Sequence, residues 1–456
     1  MEGTVRRLVV GVDIGTTTVK AAGFDPGGAM HSRVEARYEL HEPQPGWVEQ
    51  DPLAVLDAVV GLVPKTGPVA LSSAMHSLVG LDARDRPVTA LITWGDTRAS
   101  AQAERLRADH PELHARTGTP LHPMSPLAKL CWLRENGVQA HRWAGVKELV
   151  VHRLTGEWAM DHSTASGTGL MDLATLDWDP EALAVAGVTP DQLPRLVPVT
   201  ERFGELVVGA GDGPLANLGV GAVEPGVAAC SIGTSGALRL MVSEPAIDPA
   251  GRSFCYALTP GHWVVGGAIN NGGVVLDWLS RTFAAPVETL LKEAGRVPAG
   301  SDGLVMLPYL LSERAPHWST GVHGAYVGLA RRHGRGHLVR AGLEGVCQQL
   351  ALVLASLVEA GYEVGEIRST GGFSRSALWK QILADALGIP LGFTRGREGS
   401  AFGAALLGMQ ALGIVDSIER AAGLIEVSET VEPAPEAAAV YVEQRPRFED
   451  LYRRLT

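Results

Sequence analysis

The first forty residues alternate short apolar runs with polar turns. Apolar runs at residues 8–12 and 19–25 and an alternating pattern at 32–40 predict three strands. Gly27 and Gly28 mark the second turn, because glycine adopts turn conformations without steric cost. The chain therefore opens with a predicted β-meander.

Strands and helices then alternate. The pattern predicts a helix at residues 53–62, short strands at 69–71 and 90–93, and mostly helices over 99–200. Such an alternation is typical of a mixed sheet flanked by helices.

The second half continues this pattern. It predicts a long amphipathic helix at residues 340–361, a strand at 367–370 and a helix at 376–387. Residues after Val415 predict a helical tail with a proline-rich joint near Pro433.

One glycine turn occurs in each half of the chain. An apolar strand enters Gly15-Thr16-Thr17 and leaves as a second strand, and the same arrangement returns at Gly233-Thr234-Ser235. The repeat predicts two related α/β domains, 1–223 and 224–456, which face each other across a shared cleft. A length of 456 residues is sufficient for two ordinary domains.

Charge and composition exclude several classes of function. A formal net charge of −11 argues against non-specific nucleic-acid binding, which needs a basic face. No run of 18 apolar residues and no signal peptide is apparent, so we expect no membrane association. Four scattered cysteines favour reduced thiols and a cytoplasmic location.

The first glycine turn is a candidate phosphate site. Gly15 lets a phosphate approach the main chain, and Thr16 and Thr17 add hydroxyl donors. Asp13 is placed to hold hydrated Mg²⁺, which prefers few carboxylates together with water and phosphate oxygens, and Lys20 could add a positive charge. An ordinary turn in a β-meander is the alternative, which the second copy makes less attractive.

Asp212 is the candidate general base. It lies in a glycine-lined bend between a predicted strand and helix, where no bulky neighbour blocks a ligand. Such an aspartate accepts the hydroxyl proton in phosphoryl transfer. A helix N-cap is an equally good interpretation of the local sequence.

A polyol site is indicated by Trp94, Asp96 and Arg98. If this segment is extended, the three side chains point to one side and offer an apolar wall, an acceptor and a donor. A surface Asp–Arg pair is the alternative. Met75 and His76 follow another predicted strand, although a lone histidine is more often structural.

The nucleotide signals are mixed. No Gly-Lys dipeptide occurs, which excludes a Walker A loop, and no Gly-x-Gly-x-x-Gly opens a helix in an early βαβ unit. Gly371 and Gly372 join a strand to a helix and could let an adenosine lie against the main chain.

The motifs in this order resemble the FGGY carbohydrate kinases, along nearly the whole chain. Further runs resemble the gluconate kinases of that family, namely Ser72–Ser77, Ile92–Trp94, Thr117–Pro126, Phe254–Ala257 and Asn270–Gly273. The connection at residues 199–208 is shorter than in the family members considered.

The resemblance implies a two-domain actin-like, ribonuclease H-like ATPase fold that binds ATP, Mg²⁺ and a small sugar or sugar acid between the domains. It is compatible with a homodimer. The implied roles are metal binding by Asp13 and Asp212; catalysis by Asp212; ATP binding by Gly15, Thr16, Thr17, Lys20, Gly233, Thr234, Ser235, Gly273, Asp277, Gly371, Gly372 and Ser376; and sugar binding by Met75, His76, Trp94, Asp96, Arg98, Met124 and Asp212.

The expected activity is transfer of phosphate from ATP to D-gluconate. A kinase for xylulose, ribulose or a polyol is the nearest alternative. A non-catalytic actin-like nucleotide-binding protein is a rival from another class, although it would need no cleft base such as Asp212. An ATPase chaperone would need a further domain after Val415, where too few residues remain.

Overall fold

The computed structural model describes residues 8–245, 247–394 and 399–455. Two mixed sheets form its framework. The strands are β1 (Val9–Ile14), β2 (Thr18–Phe24), β3 (Met30–Arg37), β4 (Glu49–Gln50), β5 (Val69–Ser73), β6 (Val79–Leu81), β7 (Leu91–Ile92), β8 (Arg142–Ala144), β9 (Ala159–Asp161), β10 (Met171–Asp172), β11 (Asp177–Trp178), β12 (Arg195–Val197), β13 (Arg202–Phe203), β14 (Leu206–Gly211), β15 (Val227–Ile232), β16 (Gly236–Val242), β17 (Phe254–Thr259), β18 (His262–Ile269), β19 (Val305–Leu307), β20 (Ala325–Val327), β21 (Glu366–Thr370), β22 (Leu391–Thr394) and β23 (Val427–Val431).

The helices cover the faces of the sheets. They are α1 (Pro52–Leu62), α2 (Ser100–Asp109), α3 (Glu112–Thr117), α4 (Pro126–Glu135), α5 (Val146–Thr155), α6 (His162–Ser166), α7 (Pro180–Ala186), α8 (Asp212–Gly219), α9 (Val274–Thr282), α10 (Val287–Ala294), α11 (Arg335–Glu359), α12 (Ala377–Leu387), α13 (Gly399–Ala411), α14 (Ile418–Ala422) and α15 (Pro435–Leu455). Short 3₁₀ turns lie at Pro190–Gln192, Ser301–Gly303 and Gly372–Arg375.

Several helices begin where the sequence supplies a cap followed by proline. The Asp51 carboxylate accepts the N–H groups of Leu53 and Ala54 at the start of α1. Ser125 caps α4 and Asp179 caps α7, and a proline follows each. The cap satisfies otherwise unpaired N–H groups, and proline has the backbone angle that the first helical residue needs.

The two sheets share one topology. The first has the order β13-β14-β5-β1-β2-β3, in which β1, β5 and β14 run parallel and β2 and β3 return antiparallel. The second has the order β17-β18-β16-β15-β21-β22-β23, in which β15, β21 and β22 run parallel. Each glycine turn joins the central strand of its sheet to an antiparallel neighbour, so the two turns are equivalent.

The carboxyl-terminal segment departs from the predicted helical tail. Residues Val427–Val431 form β23, which pairs antiparallel with β22 at the edge of the second sheet. The short connection before Asp212 folds as the hairpin of β13 and β14. Both features depend on pairing with distant strands, and local periodicity does not report such pairing.

Helix α11 is the long core helix of the second half. Its 25 residues are apolar enough, by length and composition, to cross a membrane, but 89% of its most apolar window is buried inside the protein. It packs against α9, α10, α12 and β19. Its apolar character is therefore explained by the core that it forms.

Helix α13 belongs to the second half of the chain and packs against the first half with backbone atoms in direct contact. It lies between β22 and β23 of the second sheet in the chain, yet it packs against α8, β1 and β5. Carbon atoms added at Gly403 and Gly219 would lie 2.0 Å from the carbonyl oxygens of Leu215 and Gly399, and one at Gly11 would lie 1.8 Å from that of Ala401. Glycine at these positions lets the backbones approach directly.

The contact at Gly403 can be tested by adding one methyl group. We expect Gly403→Ala to lower the free energy of unfolding by about 3 kcal/mol, because backbone atoms cannot move aside as a flexible side chain would. Gly61→Ala is the matched control. Gly61 lies in α1 with nothing within 4 Å of an added carbon, so alanine there should stabilise by about 0.5–1 kcal/mol. Urea denaturation measures both, and equal effects would refute the packing argument.

Candidate active site

A cavity of about 210 Å³ lies between the carboxyl ends of the parallel strands of the first sheet and the second glycine turn. Its walls come from both halves of the chain. The lining residues are Thr16, Met75, His76, Trp94, Met124, Asp212, Gly213, Ser231, Ser235, Gly236, Arg239, Phe254, Tyr256, Ala268 and Arg314.

Asp212 is the carboxylate that lines this cavity in the part of the chain that the structure describes. Gly211 occupies the N-cap position of α8, so Asp212 is the first helical residue and not the cap. Its Oδ1 accepts the N–H of Gly213 at 2.8 Å. Burial raises the pKa of Asp212, while the positive charge of Arg239 opposes that shift. A buried carboxylate with a raised pKa is suited to accepting a proton.

His76 presents a neutral imidazole to the cavity. Its Nδ1 donates to the carbonyl oxygen of Gly167 at 2.6 Å, which leaves Nε2 as an acceptor 3.4 Å from the hydroxyl of Tyr256. Burial lowers the pKa of His76 to about 3. The backbone of His76 has a φ of 67°. The buried Lys129 amino group donates to the His76 carbonyl at 2.5 Å and stabilises this conformation. His76 is therefore a hydrogen-bonding group and not a cation.

Trp94 and the first glycine turn are joined by a hydrogen bond. The indole Nε1 of Trp94 donates to Thr16 Oγ1 at 2.8 Å, and Gln50 Nε2 donates to the Thr16 carbonyl at 2.5 Å. The guanidinium of Arg314 lies 4.6 Å above the Trp94 ring. Met75 and Met124 complete the apolar part of the wall. The predicted sugar residues Met75, His76, Trp94 and Met124 are thus brought together.

Asp96 and Arg98 do not lie with them. Residues 94–98 form turns, whereas an extended segment is needed to bring the three side chains to one side. The Arg98 guanidinium donates to both Asp96 oxygens and, at 2.6 Å, to Glu49, and it lies 3.9 Å from the centre of the Trp47 ring. The two side chains form a buried ion pair, and neither of them lines the cavity. The extended geometry predicted for this motif is wrong.

The first glycine turn lies beside the cavity. Gly15 N–H donates to the Thr18 carbonyl at 3.0 Å, and the Tyr38 hydroxyl donates to the Gly15 carbonyl. Thr17 is exposed, and Lys20 lies directly opposite Asp13 in the pairing of β1 with β2.

Asp13 lies in β1 and Asp212 follows β14, and these two parallel strands flank β5. Both β1 and β14 pair with β5, and Ser72 of β5 is opposite Asp13 on one side and Ala210 on the other. Ser72 Oγ donates to Asp13 Oδ1 at 2.9 Å. Two strand spacings, roughly 10 Å, separate the backbones. Mg²⁺ keeps several waters when bound by few carboxylates, so this donor set fits a hydrated ion.

A second cavity of about 530 Å³ lies on the other side of the Gly233 turn. Atoms added at Gly233 and Gly372 would meet nothing closer than 3.6 Å, so space is open beside both. Gly371 packs directly against the Ile232 backbone, since an added carbon there would lie 2.3 Å from the Ile232 carbonyl oxygen. Ser376 caps the N-terminus of α12. The residues predicted for ATP that line it are Gly233, Thr234, Gly273, Asp277, Gly372 and Ser376.

Arg239, Arg314, Phe254 and Tyr256 line the first cavity and were missed. The signal for Arg239 was a charge inside the otherwise apolar strand β16. Arg314 follows Glu313 in an irregular segment with no recognisable period, and its approach to Trp94 depends entirely on the tertiary fold.

Comparison with known proteins gives a consistent result. The model of the FGGY family of carbohydrate kinases, N-terminal domain, matches residues 8–213, and that of its C-terminal domain matches residues 228–412. A gluconokinase of Bacillus subtilis (strain 168) is 39% identical over 98% of this chain and 96% of its own. A xylulose kinase of Escherichia coli (strain K12) is 30% identical over 98% of this chain and 99% of its own.

Solved structures agree with this result. The gluconate kinase from Lactobacillus acidophilus superposes with a TM-score of 0.92 at 32% identity, with 98% of both chains covered. A xylulose kinase from the same organism has a TM-score of 0.93 at 32% identity, again with 98% of both chains covered.

The buried imidazole of His76 makes a pH-dependent contribution to stability. Its pKa is lower in the folded state, so the unfolded chain binds more protons, and stability is lost as the pH falls below 6.5 toward 3. His76→Asn keeps an N–H donor near the Nδ1 position and tolerates the positive φ. Between pH 7.5 and 4.5, we expect the free energy of unfolding of this variant to fall by about 2–3 kcal/mol less than that of the parent. Urea denaturation at both pH values measures this difference.

The control for this experiment is His141→Asn. The His141 side chain is exposed, so its replacement removes no buried group and should leave the pH dependence unchanged. An unchanged dependence in His76→Asn as well would contradict the neutral, buried state of His76.

Proposed function

The chain belongs to the FGGY family of carbohydrate kinases, and we propose that it transfers the γ-phosphoryl group of ATP to D-gluconate, forming 6-phospho-D-gluconate. The protein is a phosphotransferase that acts on a sugar hydroxyl. The observation that carries the choice of substrate is a cavity that combines one carboxylate, Asp212, with two guanidinium groups, Arg239 and Arg314. A cavity of this charge suits an acidic sugar. The gluconokinase relatives support the same choice.

A kinase for xylulose is the second candidate, because xylulose kinases are also close relatives and structural neighbours. A neutral ketose would use the hydroxyl-binding His76 and the apolar face of Trp94 equally well. It would leave Arg239, which has no ion-pair partner among the described residues, without a matching anion, and this difference favours gluconate.

In the proposed reaction Asp212 accepts the proton of the terminal hydroxyl, whose oxygen attacks the γ-phosphorus while the bond from that phosphorus to the bridging oxygen breaks and ADP leaves. Burial increases the basicity of this carboxylate, and its hydrogen bond with the Gly213 N–H fixes its orientation. His76 Nε2 accepts a substrate hydroxyl, and Trp94 and Met124 exclude water from the apolar side. Catalysis then consists mainly of positioning and electrostatic stabilisation.

ATP would occupy the second cavity, with its adenosine near Gly372 and Ser376 and its phosphates passing the Gly233 turn toward Asp212. Gly15, Thr16 and Thr17 would offer donors from the opposite turn. Mg²⁺, held through water by Asp13 and Asp212, would neutralise charge on the phosphate oxygens.

Three further expectations belong to this proposal. The domain boundary lies near Val223 and Glu224, between the two sheets. The enzyme works in the cytoplasm, in agreement with four free and buried cysteines at Cys131, Cys230, Cys255 and Cys347. A homodimer stays a prediction for size-exclusion chromatography with light scattering.

The role of Asp212 can be tested with Asp212→Asn, which keeps the shape but removes the base. We expect kcat to fall by roughly 10²- to 10⁴-fold, the usual contribution of a positioned base. Gluconate and ATP affinities, measured by calorimetry, should change much less. A near-normal kcat would exclude Asp212 as the base.

The substrate can be tested by ATP consumption with gluconate, xylulose, ribulose, glycerol and an aldonate of another chain length. We expect gluconate to have the highest kcat/KM. A preference for xylulose or ribulose would leave the kinase assignment intact and replace the proposed acceptor.

A further inference from the structure

Two guanidinium groups line the sugar cavity, but their surroundings differ. Arg314 is held by several groups: its Nη2 donates to the Ile269 carbonyl at 3.1 Å, and its guanidinium covers the Trp94 ring. The neighbouring Glu313 is buried and provides a nearby negative charge. Arg314 therefore has a hydrogen-bond acceptor, a ring contact and a neighbouring carboxylate, although its Nε is buried without a partner in the described part of the chain.

Arg239 has no such partners. Among the described residues, its side chain has no hydrogen bond or ion pair, and its Nη1 is buried without any partner. The negative charge that acts most strongly on Arg239 is that of Asp212, while Cys230 and Tyr256 stay neutral because burial raises their pKa. A buried guanidinium normally forms several hydrogen bonds, since leaving its charge unpaired is costly.

Arg239 lies close to the residue that follows Asp212 in the chain. It lies in β16, the strand that leaves the second glycine turn, where its neighbours in β15 and β18 are Ala229 and Gly266. An atom added at Gly213 would lie 3.3 Å from Arg239 Nε, so the small residue after Asp212 leaves room for the guanidinium. Asn217 Nδ2 donates to the Arg239 carbonyl at 3.3 Å and supports this position.

The reaction itself changes the charge balance around Arg239. Before proton transfer, the negative charge of the Asp212 carboxylate partly compensates the positive charge of Arg239. When Asp212 accepts the proton, that negative charge disappears. An anionic group on the acceptor would keep the guanidinium paired throughout the reaction.

We propose that Arg239 binds the carboxylate group of the acceptor and thereby determines selectivity for sugar acids over neutral sugars. This assignment rests on the proposed phosphorylation of an aldonate. Arg314 lies on the same wall, where its charge adds to the positive potential. His76 and Arg98 do not serve as the cation, because the first is neutral and the second is paired with Asp96 and Glu49.

A role for Arg239 on the transferring phosphoryl group is the competing explanation. The two roles differ in when they act. A carboxylate ligand contributes to binding of the acceptor alone, without nucleotide. A phosphoryl ligand contributes only when ATP is present, and it affects all acceptors equally.

The first experiment uses the full-length, unmodified protein and two matched ligands, D-gluconate and the neutral D-gluconamide. Calorimetry without nucleotide should give a dissociation constant for gluconate about 10- to 100-fold lower than that for gluconamide. This is the range for a hydrogen-bonded charge pair. Equal affinities would overturn the proposal. Absence of gluconate binding and turnover, together with activity on a ketose, would instead refute the proposed function.

The second experiment uses Arg239→Met, which keeps side-chain length and removes the charge. We expect gluconate affinity and kcat/KM to fall about 10- to 100-fold while the values for gluconamide change by less than about threefold. Arg239→Lys should retain a preference for gluconate, and it keeps the test possible if the methionine variant does not fold. Circular dichroism melting checks folding.

Arg84→Gln is the control for the loss of one positive charge, because Arg84 is exposed and outside the cavity. It should leave both ligands unaffected. Parallel losses for gluconate and gluconamide in Arg239→Met, or a change confined to kcat and the KM for ATP, would assign Arg239 to the phosphoryl group and overturn the proposal.

Discussion

The geometry of the active site depends on a direct contact between backbones. Helix α13 comes from the second half of the chain and packs against α8 and β1 of the first through Gly11, Gly219 and Gly403. Because no side chains separate these segments, their relative position has little freedom. Helix α8 begins with Asp212, so the same contact fixes the helix that carries the candidate base relative to β1, which carries Asp13.

Buried charges in this protein fall into two groups. Lys147 and Asp161 are fully buried and paired with each other, and Arg98 has both Asp96 and Glu49. Such pairs satisfy their own charges and need nothing from outside. Arg239 differs because its surroundings leave hydrogen-bonding capacity unused. Among the described residues, the presence or absence of a charged partner in direct contact separates the structural ion pairs from the candidate ligand site.

The sequence predicted those parts of the site that are local. The glycine turns, the strand before Asp212 and the Gly371–Gly372 joint each combine a turn signal with an apolar run, and the structure has them where they were expected. Asp96 and Arg98 were misplaced because a period of two was assumed for a segment that forms turns. Arg239 and Arg314 were missed because Arg239 reaches the cavity through strand pairing and Arg314 through an irregular segment, and a single sequence reports neither contact.

The crossing of α13 also has a consequence for biosynthesis. The first sheet is complete in sequence once residue 211 has been made, but the helix that covers β1 and β5 ends at Ala411. A nascent chain on the ribosome therefore exposes an apolar face of its first sheet until most of the second half has been translated. The two halves resemble independent domains in their topology, yet during synthesis the first must wait for the second, and chaperones have a defined surface to protect in that interval.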